Sequence, residues 1–165
     1  MTEKYSALDI YRRHLDIVTT ALWGRDWETL ARNLAVPSRI RTQDTEIVMT
    51  TEQDLFEHMF AVRKSLGTLG ATNYQRIPIA AEYTNADKTE IEGTHTVYVL
   101  GGGSYIMEPF VSSQTLIRQN GVWKGYDLKS GVKNSALTVI DPQTILKFSA
   151  RKQQPSATKQ GSDHA

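Results

Sequence analysis

The amino-acid sequence predicts an α+β domain in which three N-terminal helices cover one face of a curved antiparallel sheet. Two patterns support this prediction. Apolar residues recur at helical spacing in the N-terminal part of the chain, and long β-prone runs separated by turn sequences begin at about residue 71. Helices followed by strands, rather than alternating with them, are typical of the α+β class.

Three segments have the features of helices. The first follows Ser6, a good N-cap, and carries one apolar stripe as far as Gly24. Asp26 caps a shorter segment, "WETLARNLA", which Pro37 ends. A capping box, in which Thr51 precedes an acidic residue three positions later, opens the third segment, "EQDLFEHMFAVRKSL". We therefore predict a long helix, a short helix and a third helix.

The β-prone runs predict a short hairpin and a four-stranded meander. "SRIRT" and "EIVMT" form the hairpin. Short turn sequences then separate four longer runs, which are "NYQRIPIAAEY", "TEIEGTHTVYVL", "MEPFVSSQTLIRQ" and "VWKGYDLKSGV". Asn120 and Gly121 are the most specific turn signal, because a two-residue hairpin turn needs a positive φ angle at both positions.

The length of 165 residues is that of one domain. We predict a single domain over residues 1–150, with one helical turn in "DPQTIL" near its end. Residues 151–165 have no apolar periodicity, which predicts a disordered tail.

Composition argues against several classes of function. The 19 basic and 18 acidic residues give a net charge of +1, so we expect no nucleic-acid partner. The chain has no cysteine, which excludes thiolate metal sites and thiol nucleophiles. The N-terminal residues lack the apolar core of a signal peptide, and no apolar run approaches the length of a membrane span. We therefore predict a cytoplasmic protein that has no membrane partner.

The three consecutive glycines, Gly101 to Gly103, connect two β-prone runs. A phosphate-binding loop leads from a strand into a helix, whose N-terminal amides hold the anion. The glycines therefore indicate a hairpin loop and argue against a nucleotide-binding protein.

The order of elements resembles that of the nuclear transport factor 2-like, or SnoaL-like, proteins. The segment "EPFVSSQTLIRQNGVWKGYDLKS" is similar to the final hairpin of that family, in which a polar strand leads through a turn to a tryptophan-bearing closing strand. The resemblance covers roughly residues 6–132. It implies a cone-shaped, cystatin-like fold with a deep pocket between the helices and the concave sheet face, and homodimerisation through the outer face. Members of the family include isomerases, dehydratases, cyclases, small-ligand binders and adaptors.

Strand alternation predicts which side chains face the pocket, because the more apolar set should lie against the helices. In "TEIEGTHTVYVL" this set contains His95 and Val97. On the closing strand it contains Tyr126 and Leu128, which places Trp123 on the outer face beside Tyr98, where it would favour sheet-to-sheet dimerisation. If the closing strand is shifted by one residue, Trp123 and Asp127 point inward instead.

Other residues are weaker candidates for the pocket. His14 lies within the apolar stripe of the first helix, where a buried structural role is the better interpretation. Tyr83 is expected at the pocket rim, with Ile77 and Ile79 on the same apolar face and Arg76 outward. Gln114 is a possible polar lining residue, and His58 is expected at the surface. No pair of histidines has the spacing of a metal site.

Two functions of the pocket remain open, and a protein-interaction domain that uses the outer face of the sheet is a third possibility. The first is a small-molecule-binding domain with an apolar ligand and no cofactor, in which the ligand contacts come from Tyr83, His14, Gln114, Val97 and Leu128. The alternative is a cofactor-free isomerase, dehydratase or cyclase that transfers a proton on an apolar cyclic or polyketide-like substrate. His95 would then be the acid or base and Tyr126 the hydrogen-bond donor to the developing oxyanion, with Asp127 as the alternate base. Binding is favoured, because the preferred strand register places no carboxylate inside the pocket.

Overall fold

The structure is a computed structural model, and it describes residues 4–137. Three helices precede most of the sheet, as predicted. In chain order the elements are α1 (Ala7–Trp23), α2 (Trp27–Asn33), β1 (Leu34–Arg41), β2 (Glu46–Met49), α3 (Glu52–Thr68), β3 (Asn73–Tyr83), β4 (Glu90–Gly101), β5 (Ser104–Tyr105), β6 (Phe110–Gln119) and β7 (Val122–Lys129).

The helix starts follow from their caps. The backbone N–H of Asp9 donates to the Ser6 side chain at 3.1 Å, and that of Thr29 donates to Asp26 at 3.2 Å. At α3, Thr51 and the acidic residue three positions later cap each other reciprocally. The three predicted N-termini are therefore confirmed, although α2 ends at Asn33 and the next residues already belong to β1.

The strands form one open, curved sheet in the order β2-β1-β7-β6-β4-β3, and β5 pairs with β4. The predicted meander is confirmed over β3, β4, β6 and β7, and Asn120 and Gly121 have φ angles of 52° and 78° in the last turn. The sheet is mixed, however, because β1 runs parallel to β7. Arg39 and Arg41 of β1 form ion pairs with Asp127 of β7 at 2.8 and 3.3 Å across this pairing.

A β-bulge in β3 changes which residues face the helices. The register with β4 shifts between Pro78 and Ala80, so the alternation of side chains reverses there. Arg76 lies on the buried side and is 9% exposed, whereas Ile77 and Ile79 are 49% and 54% exposed. The predicted orientation is therefore wrong for these three residues.

A second bulge, in β7, has the same effect on the closing strand. Asp127 pairs with Thr115, but Gly125 pairs with the very next residue of β6, which leaves Tyr126 as the extra residue. Leu128 faces the interior as predicted, and Trp123 packs with the buried cluster beneath α1. The prediction that Trp123 lies on the outer face is wrong.

The interior contains two apolar clusters between the helices and the sheet. One includes Leu22, Leu66 and Val99, and the other, beneath the first turns of α1, includes Leu15 and Leu116. Within residues 4–137 no helix is long and apolar enough to cross a membrane. The helical turn predicted in "DPQTIL" and the tail predicted over 151–165 lie outside the described residues.

Gly93 allows α1 to approach β4 closely. A Cβ atom at this position would lie 2.5 Å from the ring of Tyr11. No real Cβ tolerates that separation, so the ring has its place only because Gly93 has no side chain.

We expect Gly93→Ala to destabilise the protein by about 1–3 kcal/mol, because the added methyl group displaces the Tyr11 ring from a fully packed site. Urea denaturation measures the change in the free energy of unfolding. Gly67→Ala is the matched control, since a Cβ there meets its nearest neighbour at 3.8 Å within α3. A Gly93→Ala variant as stable as the parent protein would contradict the packing described here.

Candidate functional site

A small cavity lies between α1, α3 and the concave face of the sheet. The space open to the centre of a water molecule is about 60 Å³, which is room for several waters. Its polar lining residues are His58, Tyr74, Arg76, His95, Ser112 and Ser130. Its apolar lining residues are Val18, Leu22, Met59, Val62, Val97, Phe110, Leu128 and Leu137. We call this space the central cavity.

Arg76 brings a buried positive charge to the central cavity. Its Nε donates to the hydroxyl of Thr19 at 2.8 Å, and Nη2 lies 3.5 Å from the carbonyl oxygen of Leu15. Both partners belong to α1, so the guanidinium links the middle of this helix to β3. Among the described residues, no carboxylate oxygen lies within 4.0 Å of it.

His95 and Tyr11 form a buried hydrogen-bonded pair. The Tyr11 hydroxyl lies 2.6 Å from Nδ1 of His95, and both side chains are almost completely buried. The other ring nitrogen of His95, Nε2, has no hydrogen-bond partner among the described residues. Since His95 lines the central cavity, Nε2 is the atom that can interact with a bound molecule.

Burial keeps two histidines and two tyrosines of this region neutral. Burial, followed by the charge of Arg76, lowers the pKa of both His14 and His95 from 6.5 to about 3. Burial also raises the pKa of Tyr11 and of Tyr74 above the ordinary value for a phenol. At neutral pH the imidazoles are therefore uncharged and the phenols keep their protons.

The structure brings together some of the predicted ligand-binding residues. Val97 and Leu128 line the central cavity with His95. Gln114 is 5% exposed on the same face of the sheet and lies next to His14, which lines a separate cleft beside the β6–β7 turn. Tyr83 packs against Trp123 near the start of α1, and its hydroxyl donates to the carbonyl oxygen of Tyr5 at 2.7 Å.

Tyr126 and Asp127 are separated from His95. Tyr126 is not among the residues that line the central cavity, and the charges that act on its hydroxyl are those of Glu90, Asp127 and Arg39. Asp127 accepts hydrogen bonds from Arg39 and Arg41. The expectation that either residue joins His95 on the inner side is therefore wrong, and the hydroxyl beside His95 belongs to Tyr11.

Three polar residues of this region were missed or misplaced by sequence reasoning. Tyr11 lies among the apolar residues of α1 and carries no local sign of a polar role, Arg76 is buried instead of facing outward, and His58 is 2% exposed instead of lying at the surface. Gly93 was the available signal for Tyr11, because a glycine within a strand often marks the close approach of another group. Among the described residues, no group of three or more His, Cys, Asp or Glu could hold a metal ion.

Comparisons with known proteins identify the fold. No protein-family model and no curated sequence matches the chain. A nuclear transport factor 2-like protein of unknown function from Pseudomonas putida matches with a TM-score of 0.58 at 10% identity, over 84% of this chain and 91% of that one. A domain with a cystatin-like fold from Nostoc punctiforme has a TM-score of 0.58 at 10% identity, over 91% and 88%. A Mycobacterium tuberculosis protein of unknown function has a TM-score of 0.55 at 14% identity, over 73% and 72%.

The chain therefore has the nuclear transport factor 2-like, or cystatin-like, fold that the sequence predicted. Identities this low identify the fold alone. Any conclusion about function therefore depends on the residues of the central cavity and not on the similarity to these structures.

The buried histidines predict a loss of stability in mild acid. Their pKa in the folded protein, about 3, lies below the ordinary 6.5, so the unfolded chain binds protons first as the pH falls. Stability is full above 6.5 and decreases as the pH falls towards 3. Between pH 7 and pH 5 we expect on the order of 1–2 kcal/mol from each histidine.

Urea denaturation at both pH values measures this decrease, and His95→Gln should reduce it by the contribution of His95, on the order of 1–2 kcal/mol. The unchanged His14 serves as the internal reference. A free energy of unfolding that stays constant over this interval, or a His95→Gln variant that keeps the full decrease, would show that His95 is protonated in the folded state.

Proposed function

We propose that the protein binds a small molecule in the central cavity, with an apolar body against the helices. The observation that carries this proposal is the convergence of several buried polar side chains on one space that is otherwise lined by aliphatic groups. Ligand sites combine a mostly apolar wall with a few placed polar groups in this way. A cytoplasmic location and the lack of a cofactor belong to the same proposal.

Proton transfer is the second candidate, and the hydrogen bond of 2.6 Å between Tyr11 and His95 is what favours it. A general acid or base works best when its pKa lies near the working pH. The pKa of His95 is lowered to about 3, so its neutral imidazole is a weak base. No carboxylate lies among the described residues of the cavity wall to replace it. Binding without turnover therefore fits these residues better.

Blocking the cavity tests the binding proposal. We expect a panel of small neutral and anionic molecules to shift the backbone amide NMR signals of Val97, Phe110 and Leu128, whose side chains line the cavity. Val97→Phe should abolish these shifts, because Val97 is 2% exposed and a larger side chain must fill the space. Signal dispersion shows whether the variant is folded.

Val48→Phe is the matched control, since it makes the same change at a residue of β2 that is 43% exposed. It should leave the ligand shifts unchanged. The proposal is refuted if no molecule of the panel perturbs the three amides, or if the perturbations survive in a folded Val97→Phe variant.

We also propose a homodimer through the outer face of the sheet. Ile77 and Val111 pair with Thr96 from either side, and Ile79 follows on the same face of β3. The side chains of Ile77, Ile79 and Val111 are about half exposed. Exposed apolar side chains grouped on one face of a sheet are typical of an interface.

Charged substitutions in this group of residues should break the dimer, because burying a lysine between two sheets costs more than the interface gains. We expect Ile77→Lys combined with Val111→Lys to be monomeric by sedimentation velocity, while Val48→Lys leaves the parent state unchanged. A parent protein that sediments as a monomer would contradict this proposal and leave the binding proposal untouched.

A further inference from the structure

The buried guanidinium of Arg76 lacks a counter-ion in the part of the chain that the structure describes. Its contacts there are the hydroxyl of Thr19 and the carbonyl oxygen of Leu15, both of which are neutral. Terminal nitrogen Nη1 makes no hydrogen bond with residues 4–137. Arginine residues are almost never so deeply buried unless they are paired, because removal of a charge from water is costly.

The other polar groups of the central cavity can donate hydrogen bonds to an anion. Ser112 lies directly opposite His95 on the neighbouring strand, and its hydroxyl oxygen accepts a hydrogen bond from the backbone N–H of Gly131 at 3.3 Å. Its own proton can therefore be donated to another group, as can that of Ser130. When the Tyr11 hydroxyl donates to Nδ1 of His95, the imidazole carries its proton on Nε2 and donates as well.

The cavity wall contains no acidic residue among the residues described. The side chains that line it include the Arg76 guanidinium and several other hydrogen-bond donors, and neither an aspartate nor a glutamate. A cationic ligand would meet repulsion from Arg76, and a neutral apolar ligand would leave the guanidinium without a counter-ion among the described residues. An anion would pair with the guanidinium and would also accept hydrogen bonds from the other donors.

We propose that the ligand is a small monocarboxylate, whose carboxylate is held by Arg76 while its apolar body fills the aliphatic part of the central cavity. This inference rests on the proposed binding function and specifies its ligand class. The planar fork of a guanidinium matches the two oxygens of a carboxylate. The apolar side chains that form more than half of the wall favour an anion with carbon atoms over phosphate or sulfate, and about 60 Å³ limits its apolar body to a small one.

Isothermal titration of the full chain with benzoate, benzamide, butyrate, butyramide and sulfate tests the inference. At pH 7 we expect each carboxylate to bind about 10- to 100-fold more tightly than its amide, the factor typical of a charge-assisted hydrogen bond. Arg76→Gln should make benzoate and benzamide bind equally, and Arg76→Lys should keep part of the preference because it keeps the charge. Arg12→Gln, at an exposed arginine of α1, is the matched control and should change nothing.

The outcomes separate this inference from the function on which it rests. Equal binding of acids and amides to the parent protein overturns the carboxylate assignment and leaves ligand binding supported. Binding of neither overturns both. Sulfate that binds as tightly as benzoate indicates an inorganic anion site and also overturns the assignment. If Arg76→Gln does not fold, as judged by circular dichroism, the ratio of acid to amide affinity in the parent protein decides the question.

Discussion

The burial of a single cation, Arg76, is the constraint on which the rest of the site depends. The guanidinium connects the middle of α1 to β3 through Thr19 and Leu15, so it sets how closely the helix lies over the sheet. Its charge also acts on the imidazoles of His14 and His95 and, together with burial, keeps both of them neutral. Among the described residues, the cavity wall therefore combines the charge of Arg76 with hydrogen-bond donors and no carboxylate, and this imbalance gives the cavity its chemical character.

The position of the His95 side chain depends on Tyr11, which is far from it in the sequence. Gly93 leaves room for the Tyr11 ring against β4, and the ring then places its hydroxyl 2.6 Å from Nδ1 of His95. This hydrogen bond fixes the imidazole of His95, on the central strand β4, against the N-terminal helix α1. A fixed, neutral imidazole can orient a ligand by hydrogen bonding, whereas its low pKa makes it a poor proton acceptor.

The elements could be predicted from the sequence because their signals are local. Caps such as Ser6 and turns such as Asn120-Gly121 act within a few residues, and they are confirmed. The orientation of side chains could be predicted on β4, where His95 and Val97 are buried as expected. In β3 and β7 it could not, because one extra residue in a strand reverses the alternation. Leu128 and Tyr83, beyond the bulges of β7 and β3, point as predicted, whereas Tyr126 and Ile77 do not. Pro78 lies at the bulge of β3 and Gly125 lies beside the bulge of β7, and both residue types are common at bulges, but neither specifies which residue of the strand is the extra one.

Arg76 was placed on the wrong face for a second reason, which bears on function. Assigning the more apolar side of a strand to the interior assumes that the interior is apolar throughout. In β3 the inner side carries Tyr74 and Arg76, opposite Val99 and Val97 of β4, while Ile77 and Ile79 lie outside. The sequence thus places a charge where burial is costly and apolar groups where water reaches them. Proteins break such local rules mainly at functional sites. The two faces of β3 are accordingly where we propose a ligand and a second copy of the chain.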